Sequence, residues 1–235
     1  MKRKSLNVSF DGRVLIGDNI PADTHAQWLF LHGAGSGDRN RFEQFRALFA
    51  HQGMTSYSFD FIGHGETGGD SNDSSLKGRV AQASAVIDSQ AVSQPLSIVA
   101  SSMGGYVAIK LTELYRVKNL VLLAPAVYGT KAYNVPFGPS FTEAIRSPFS
   151  WRKTDAWNIL ENYKGNLLIY GAEKDQVIPH EVIQGIYDSA RNAESREMLI
   201  VKDATHSLAK WLNERPDSLR NIIEKIHTVC KPDVQ

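Results

Sequence analysis

The chain has 235 residues, 42% hydrophobic and 22% charged, with a net charge of +1. A chain of this length buries about 70–75% of its unfolded surface, so its core needs neither disulfides nor metal, and small stapled architectures are excluded. The 26 basic against 25 acidic residues exclude a strongly basic nucleic-acid binder, and the single cysteine, Cys230, excludes an intrachain disulfide and a cysteine-rich metal centre.

Residues 1–4 are basic, but Ser5, Asn7, Ser9 and Asp11 interrupt any apolar leader core. No run of about 18 apolar residues offers a membrane span. The expectation is a cytoplasmic protein without stable membrane insertion.

In chain order, two alternating runs at 6–10 and 14–20 flank Asp11-Gly12, a dipeptide suited to the positive φ angles of a tight hairpin. Short apolar runs at 28–31, 55–59, 96–100, 120–123, 167–170 and 198–201 then predict strands. Helical patterns at 41–51, 75–89, 103–114, 181–190 and 219–229 alternate with them. Each parallel connection must cross over, so the pattern predicts a three-layer α/β fold with a mainly parallel sheet and an N-terminal antiparallel hairpin. The one irregular stretch, 126–150, is rich in Gly, Pro and aromatic residues and predicts an insertion over a site within a single domain, 1–235.

The segment Ala100-Ser101-Ser102-Met103-Gly104 joins a strand to a helix through small residues. A nucleophile on so sharp a turn needs small neighbours two positions away on either side, which lets strand and helix approach. Ser102 has Ala100 and Gly104 there, whereas Ser101 has Val99 and Met103. A serine that merely caps the helix is the competing reading. Four further segments follow strands in order: His32-Gly33-Ala34-Gly35, Asp60-Phe61-Ile62-Gly63-His64-Gly65, Glu173-Lys174-Asp175-Gln176-Val177-Ile178-Pro179 and Ala204-Thr205-His206-Ser207. All fall where open α/β sheets bind ligands, at the carboxyl ends of strands.

Together these motifs resemble the α/β-hydrolase superfamily over essentially the whole chain. They are most similar to its small serine esterases and its monoacylglycerol-lipase-like or serine-aminopeptidase-like hydrolases, which carry H-G-A-G and D-x-x-G-H-G. Ala100 departs from the first glycine of the family's G-x-S-x-G. The resemblance implies a triad of Ser102, Asp175 and His206, with the backbone N–H groups of Ala34 and Met103 as oxyanion hole. It also implies a small-molecule ester-type substrate, no cofactor, no metal and no nucleic-acid partner; the oligomeric state is unassigned. Serine hydroxyls are weak nucleophiles, so a histidine must take the proton and a carboxylate must orient that histidine. Thioester or peptide cleavage by the same triad, and a silent scaffold that only binds ligands, are the alternatives. Dehalogenases and epoxide hydrolases of this fold use aspartate at the elbow, where this chain has serine.

Of the remaining candidates, Glu173 competes with Asp175 as the acid, His64 and His32 suit loop-stabilising roles, and Asp60 suits fixing its own turn. His25, His51, His180 and His227 have no matching nucleophile. The resemblance places a small cap at about 126–153, too short for the four-helix caps of the superfamily's carbon–carbon bond hydrolases. Its aromatics, among them Tyr128, Phe137, Phe141 and Trp151, either line an apolar substrate pocket or glue the insertion to the sheet. Lys131, Arg146, Arg152 and Lys153 against Glu143 leave this stretch at +3, through either a solvated face or attraction for anionic substrates.

Overall fold

Asp11 and Gly12 both take positive φ, 47° and 72°, and fold β1 (Lys4–Phe10) back onto β2 (Arg13–Ile20). Leu6 and Val8 of β1 face inward while Ser5, Asn7 and Ser9 face solvent, as the alternating pattern requires. The computed structural model describes residues 3–22, 27–90, 92 and 94–230.

Beyond the hairpin lie β3 (Gln27–Leu31), β4 (Thr55–Phe59), β5 (Leu96–Ser101), β6 (Val117–Leu123), β7 (Asn166–Ala172) and β8 (Ser195–Val201). They form one eight-stranded sheet in the order β1-β2-β4-β3-β5-β6-β7-β8. β2 pairs antiparallel with β1 and β4, and every later pairing is parallel. Parallel strands need covering on both faces, and β4, β5 and β7 are buried along their whole length.

The helices are α1 (Glu43–His51), α2 (Leu76–Ser89), α3 (Met103–Leu111), α4 (Pro139–Arg146), α5 (Ala156–Glu161), α6 (His180–Ser189), α7 (Leu208–Asn213) and α8 (Pro216–Val229). Residues from α2, α3 and α6, such as Val80, Ile109 and Ile186, build the core on one face with Ile98 and Ala100 of β5. Phe45 and Phe49 of α1, Leu208 of α7 and Ile222 of α8 build the other, with the intervening Val99. This is the expected three-layer α/β arrangement. Among the described residues no helix is long and apolar enough to cross a membrane.

The 126–150 stretch is more regular than its composition predicts, because it contains α4 and a 3-10 turn at Thr130–Ala132. Pro136, Pro139 and Pro148 read as breakers in the sequence. In the structure Pro139 opens the helix at its first turn, where its missing N–H costs nothing, and Phe141 is buried beneath it. The two six-residue helices, α5 and α7, are too short to carry a periodic signal. α3 also ends at Leu111, three residues earlier than the 103–114 pattern implies.

The loop after β4 is fixed by Asp60, which is fully buried. Its carboxylate accepts hydrogen bonds from the Arg39 N–H at 2.7 Å and the Glu66 N–H at 2.9 Å, and pairs with the Arg39 guanidinium. Arg39 also reaches Asp18 at 3.0 Å, and Arg46 Nη2 lies 2.6 Å from the other Asp18 oxygen. Removing one partner of such a set strands a buried charge. Asp60→Ala is therefore expected to lower unfolding free energy by about 3–5 kcal/mol in urea denaturation; a loss under about 1 kcal/mol would show that the network does not hold the loop.

Candidate active site

β5 runs into α3 through Ser102, which takes φ 51° and ψ −121°. A non-glycine residue in this region is strained and persists only where its surroundings hold it. Here the Ser102 N–H donates to the Leu123 carbonyl at 3.1 Å, and its own carbonyl accepts from Gly105 at 2.9 Å and Ala126 at 3.0 Å. Gly104 explains the need for a small residue on the helix side. A Cβ there would lie 2.6 Å from the Leu31 carbonyl oxygen and 2.7 Å from that of His32. Ala100 is fully buried, paired in register with Leu31 and Leu122.

Three side chains from separate loops meet at this turn. Ser102 Oγ lies 2.9 Å from His206 Nε2, and His206 Nδ1 lies 2.8 Å from Asp175 Oδ2. With Nδ1–H donating to the carboxylate, Nε2 is the acceptor of a hydrogen bond from the Ser102 hydroxyl. The other Asp175 oxygen accepts from the N–H groups of Val177 at 2.8 Å and Ile178 at 2.9 Å. Burial alone would raise the Asp175 carboxyl, but the His206 hydrogen bond and these two backbone donors outweigh it and hold the pKa below the usual carboxylate value.

The competing acid, Glu173, is turned elsewhere and accepts the Asp203 N–H at 2.8 Å. Ser101 is buried at the end of β5. His180 contacts the Ala172 carbonyl at 3.1 Å, while His51 and His227 sit exposed on helices. His25 lies outside the described residues.

His32 and Gly33 run beside the serine. A Cβ on Gly33 would lie 3.0 Å from Ser102 Cβ, so Ala34 follows directly on a backbone that abuts the elbow. His32 is fully buried, with the Phe61 N–H donating to its Nε2 at 3.1 Å and its Nδ1 lying 2.7 Å from the Gly33 carbonyl. Those partners set the tautomer with hydrogen on Nδ1. Burial first, and Arg79 second, drive its pKa well below the ordinary value. His64 is lowered for the same two reasons. Arg79, on α2, was not singled out by any sequence motif; its Nη1 donates to the Gly33 carbonyl at 3.1 Å and its Nη2 to His64 Nε2 at 3.1 Å.

The insertion's aromatics pack on one another. Tyr128 meets Tyr106 at 5.5 Å and Phe141 at 5.8 Å between ring centroids, Phe137 meets Phe141 at 4.9 Å, and Trp151 meets Trp157 at 6.4 Å. Tyr128, Phe137 and Trp151 are partly buried against the core. Lys131, Arg146, Arg152 and Lys153 are all exposed, which accounts for the local positive charge as a solvated face. Among the described residues no group of three or more His, Cys, Asp or Glu side chains could hold a metal ion.

Residues 22–155 match the family described as serine aminopeptidase, S33. The chain belongs to this family. The matched region includes the elbow and the glycine-rich loop but ends before Asp175 and His206. No curated protein matches the chain. Among solved structures, a predicted CIB-like hydrolase from Thermoplasma acidophilum superposes with a TM-score of 0.72 at 16% identity, covering 97% of this chain and 99% of its own. The esterase EaEST from Exiguobacterium antarcticum gives 0.72 at 17% identity, with 95% and 99% covered. Est1E from Butyrivibrio proteoclasticus, solved with ferulic acid bound, gives 0.72 at 15% identity, with 94% and 98% covered. These likenesses establish the α/β-hydrolase fold.

The two lowered imidazoles link this loop to pH. Each takes up a proton at a lower pH when folded than when unfolded, where its ordinary value is 6.5. Below that value the unfolded state holds more protons, so stability falls as pH drops, by at most about 1.4 kcal/mol per pH unit for each histidine. His64→Gln is expected to flatten the slope of urea stability between about pH 7 and pH 5. An unchanged slope would show that His64 does not contribute.

Proposed function

We propose that the chain is a serine hydrolase that cleaves small to medium carboxylic esters through an acyl-enzyme on Ser102. The observation that carries this reading is the unbroken hydrogen-bonded line from Ser102 Oγ through His206 to Asp175, with steps of 2.9 and 2.8 Å. The family membership supports hydrolysis, and the strained serine at the end of a buried strand supports its role as the attacking group.

In this mechanism His206 Nε2 takes the Ser102 proton as Oγ attacks the ester carbonyl carbon. Asp175 stays ionised, holds the imidazole in the required tautomer and stabilises the imidazolium. The tetrahedral oxyanion is met by the backbone N–H groups of Ala34 and Met103, each worth about 3–4 kcal/mol in the transition state. His206 then returns the proton to the leaving alcohol, and a water molecule repeats the sequence to free the acid. Residues 126–153 form a short cap within a single hydrolase domain. Tyr128, Phe137, Phe141 and Trp151 supply its apolar surface, and their packing on neighbouring rings, edge-on between Phe137 and Phe141 and between Trp151 and Trp157, suits a firm wall better than a wide hydrophobic tunnel.

A panel of p-nitrophenyl esters tests the assignment. Ser102→Ala is expected to lower kcat by about a thousandfold or more, and a loss below about a hundredfold would contradict nucleophilic catalysis by this serine. Asp175→Asn, which keeps the shape but reverses the hydrogen-bond polarity, is expected to cost about 10³–10⁴-fold in kcat. Glu173→Gln serves as the control and is expected to leave kcat within about twofold. Folded wild-type protein that neither cleaves the panel nor reacts with a fluorophosphonate would instead favour a binding scaffold.

A further inference from the structure

Arg79 differs from the other buried arginines of the described chain. Arg39 and Arg46 pair with Asp18 and Asp60, whereas no carboxylate pairs with Arg79 among the described residues, although it is only 1% exposed. Its Nη1 donates to the Gly33 carbonyl and its Nη2 to His64 Nε2, both at 3.1 Å. Its carbon centre stands 4.7 Å from the Phe61 ring and 5.1 Å from the Phe137 ring, and its Nε is buried with no partner. Burying a cation with only neutral acceptors and ring faces costs folding free energy, and an apolar residue of similar volume is usually no less stable there. Stability alone therefore accounts poorly for a charge at this place.

The acceptor it grips gives the charge a use. The Gly33 carbonyl and the Ala34 N–H belong to one peptide unit, which is planar and trans, so the two groups point to opposite sides. Two donors hold the carbonyl: Arg79 Nη1 at 3.1 Å, and His32 Nδ1 at 2.7 Å in the tautomer set by the Phe61 N–H. Together they fix the plane of the unit, and a full positive charge on the carbonyl side draws electron density from the amide and makes its N–H a stronger donor. Gly33 itself abuts the Ser102 side chain.

We infer that Arg79 is a positioning residue for transition-state stabilisation: through the Gly33 carbonyl it orients and polarises the Gly33–Ala34 peptide, so that the Ala34 N–H meets the oxyanion formed on attack by Ser102. This rests on the serine-hydrolase reading above. The uncompensated guanidinium adds a fixed positive potential behind the donor, present before the reaction begins and requiring no reorganisation as charge develops. Ground-state ester, with little charge on its carbonyl oxygen, gains little from it, so the effect falls on kcat and not on KM.

The test compares wild type with Arg79→Met, which removes donor and charge at similar length, and Arg79→Lys, which keeps a cation. Four quantities are read: kcat and KM on a p-nitrophenyl ester, per serine titrated to the end point with a fluorophosphonate; Ki for an arylboronic acid, which mimics the tetrahedral adduct; and the thermal midpoint. Arg79→Met is expected to lose about 10–100-fold in kcat with KM within about threefold, and to bind the boronic acid more weakly in proportion. Arg79→Lys is expected to recover part of both losses. A kcat per titrated serine within about threefold of wild type in Arg79→Met would overturn the inference, as would a KM increase at constant kcat or an unchanged boronic-acid Ki. Should Arg79→Met fail to fold, Arg79→Lys decides alone: a parallel weakening of kcat and boronic-acid binding supports the inference, and wild-type values of both overturn it. Failure of the underlying reading looks different, because Ser102→Ala would then retain activity or wild type would not be titrated at all, and both proposals fall together.

Discussion

A serine held at φ 51° between a fully buried strand and a buried helix is a local strain that only close packing can sustain. The turn brings α3 so near the end of β3 that the Leu31 and His32 carbonyls lie within 3 Å of where a Cβ on Gly104 would be. It also places the Ser102 carbonyl where the N–H groups of Gly105 and Ala126 can bond to it, tying the start of the aromatic insertion to the elbow. The other features of the site are arranged around a turn that the sheet keeps under tension.

Charge is distributed in two ways around this turn. Under the loop after β4, Asp18, Asp60, Arg39 and Arg46 neutralise one another, so desolvation is largely offset and the set acts as a mechanical tie. In contact with Phe61 and His64 of the same loop, Arg79 is shielded by rings and neutral acceptors only, and burial brings its pKa down to about 10, still well above neutrality. One cluster spends its electrostatics on structure, while the other leaves a positive potential facing the glycine-rich loop. His32 and His64 are held below the ordinary imidazole pKa because burial first, and Arg79 second, oppose their protonation.

The insertion shows how composition can mislead about local structure. Gly and Pro at 129, 136, 138, 139 and 148 suggest a loop. Yet a proline is compatible with the first turn of a helix, and Phe141, Ala144 and Ile145 then fall on one side of α4 and pack against the core. The segment is also held from below: the Phe137 N–H bonds to the Ser74 carbonyl at 2.9 Å and the Lys77 N–H to the Tyr133 carbonyl at 3.0 Å. These bonds join residues some sixty positions apart and leave no trace in periodicity.

The sequence alone determined the strand–helix alternation, the Asp11-Gly12 hairpin and the small residues that flank Ser102 and not Ser101. Each depends on side-chain size or backbone freedom within a few residues, and such local constraints are written directly in residue order. It also put Asp175 and His206 on loops that follow strands, since a parallel sheet gathers the side chains of such loops along one edge. Only the tertiary structure decided that Glu173 turns to Asp203 while Asp175 turns to His206, because two carboxylates two residues apart differ in the partners that surround them and not in pattern. It alone revealed Arg79. Nothing in the periodicity of α2 separates a buried cation from a solvated one, and the Gly33 carbonyl it binds lies forty-six residues away in the chain, brought within reach by the packing of α2 against the sheet.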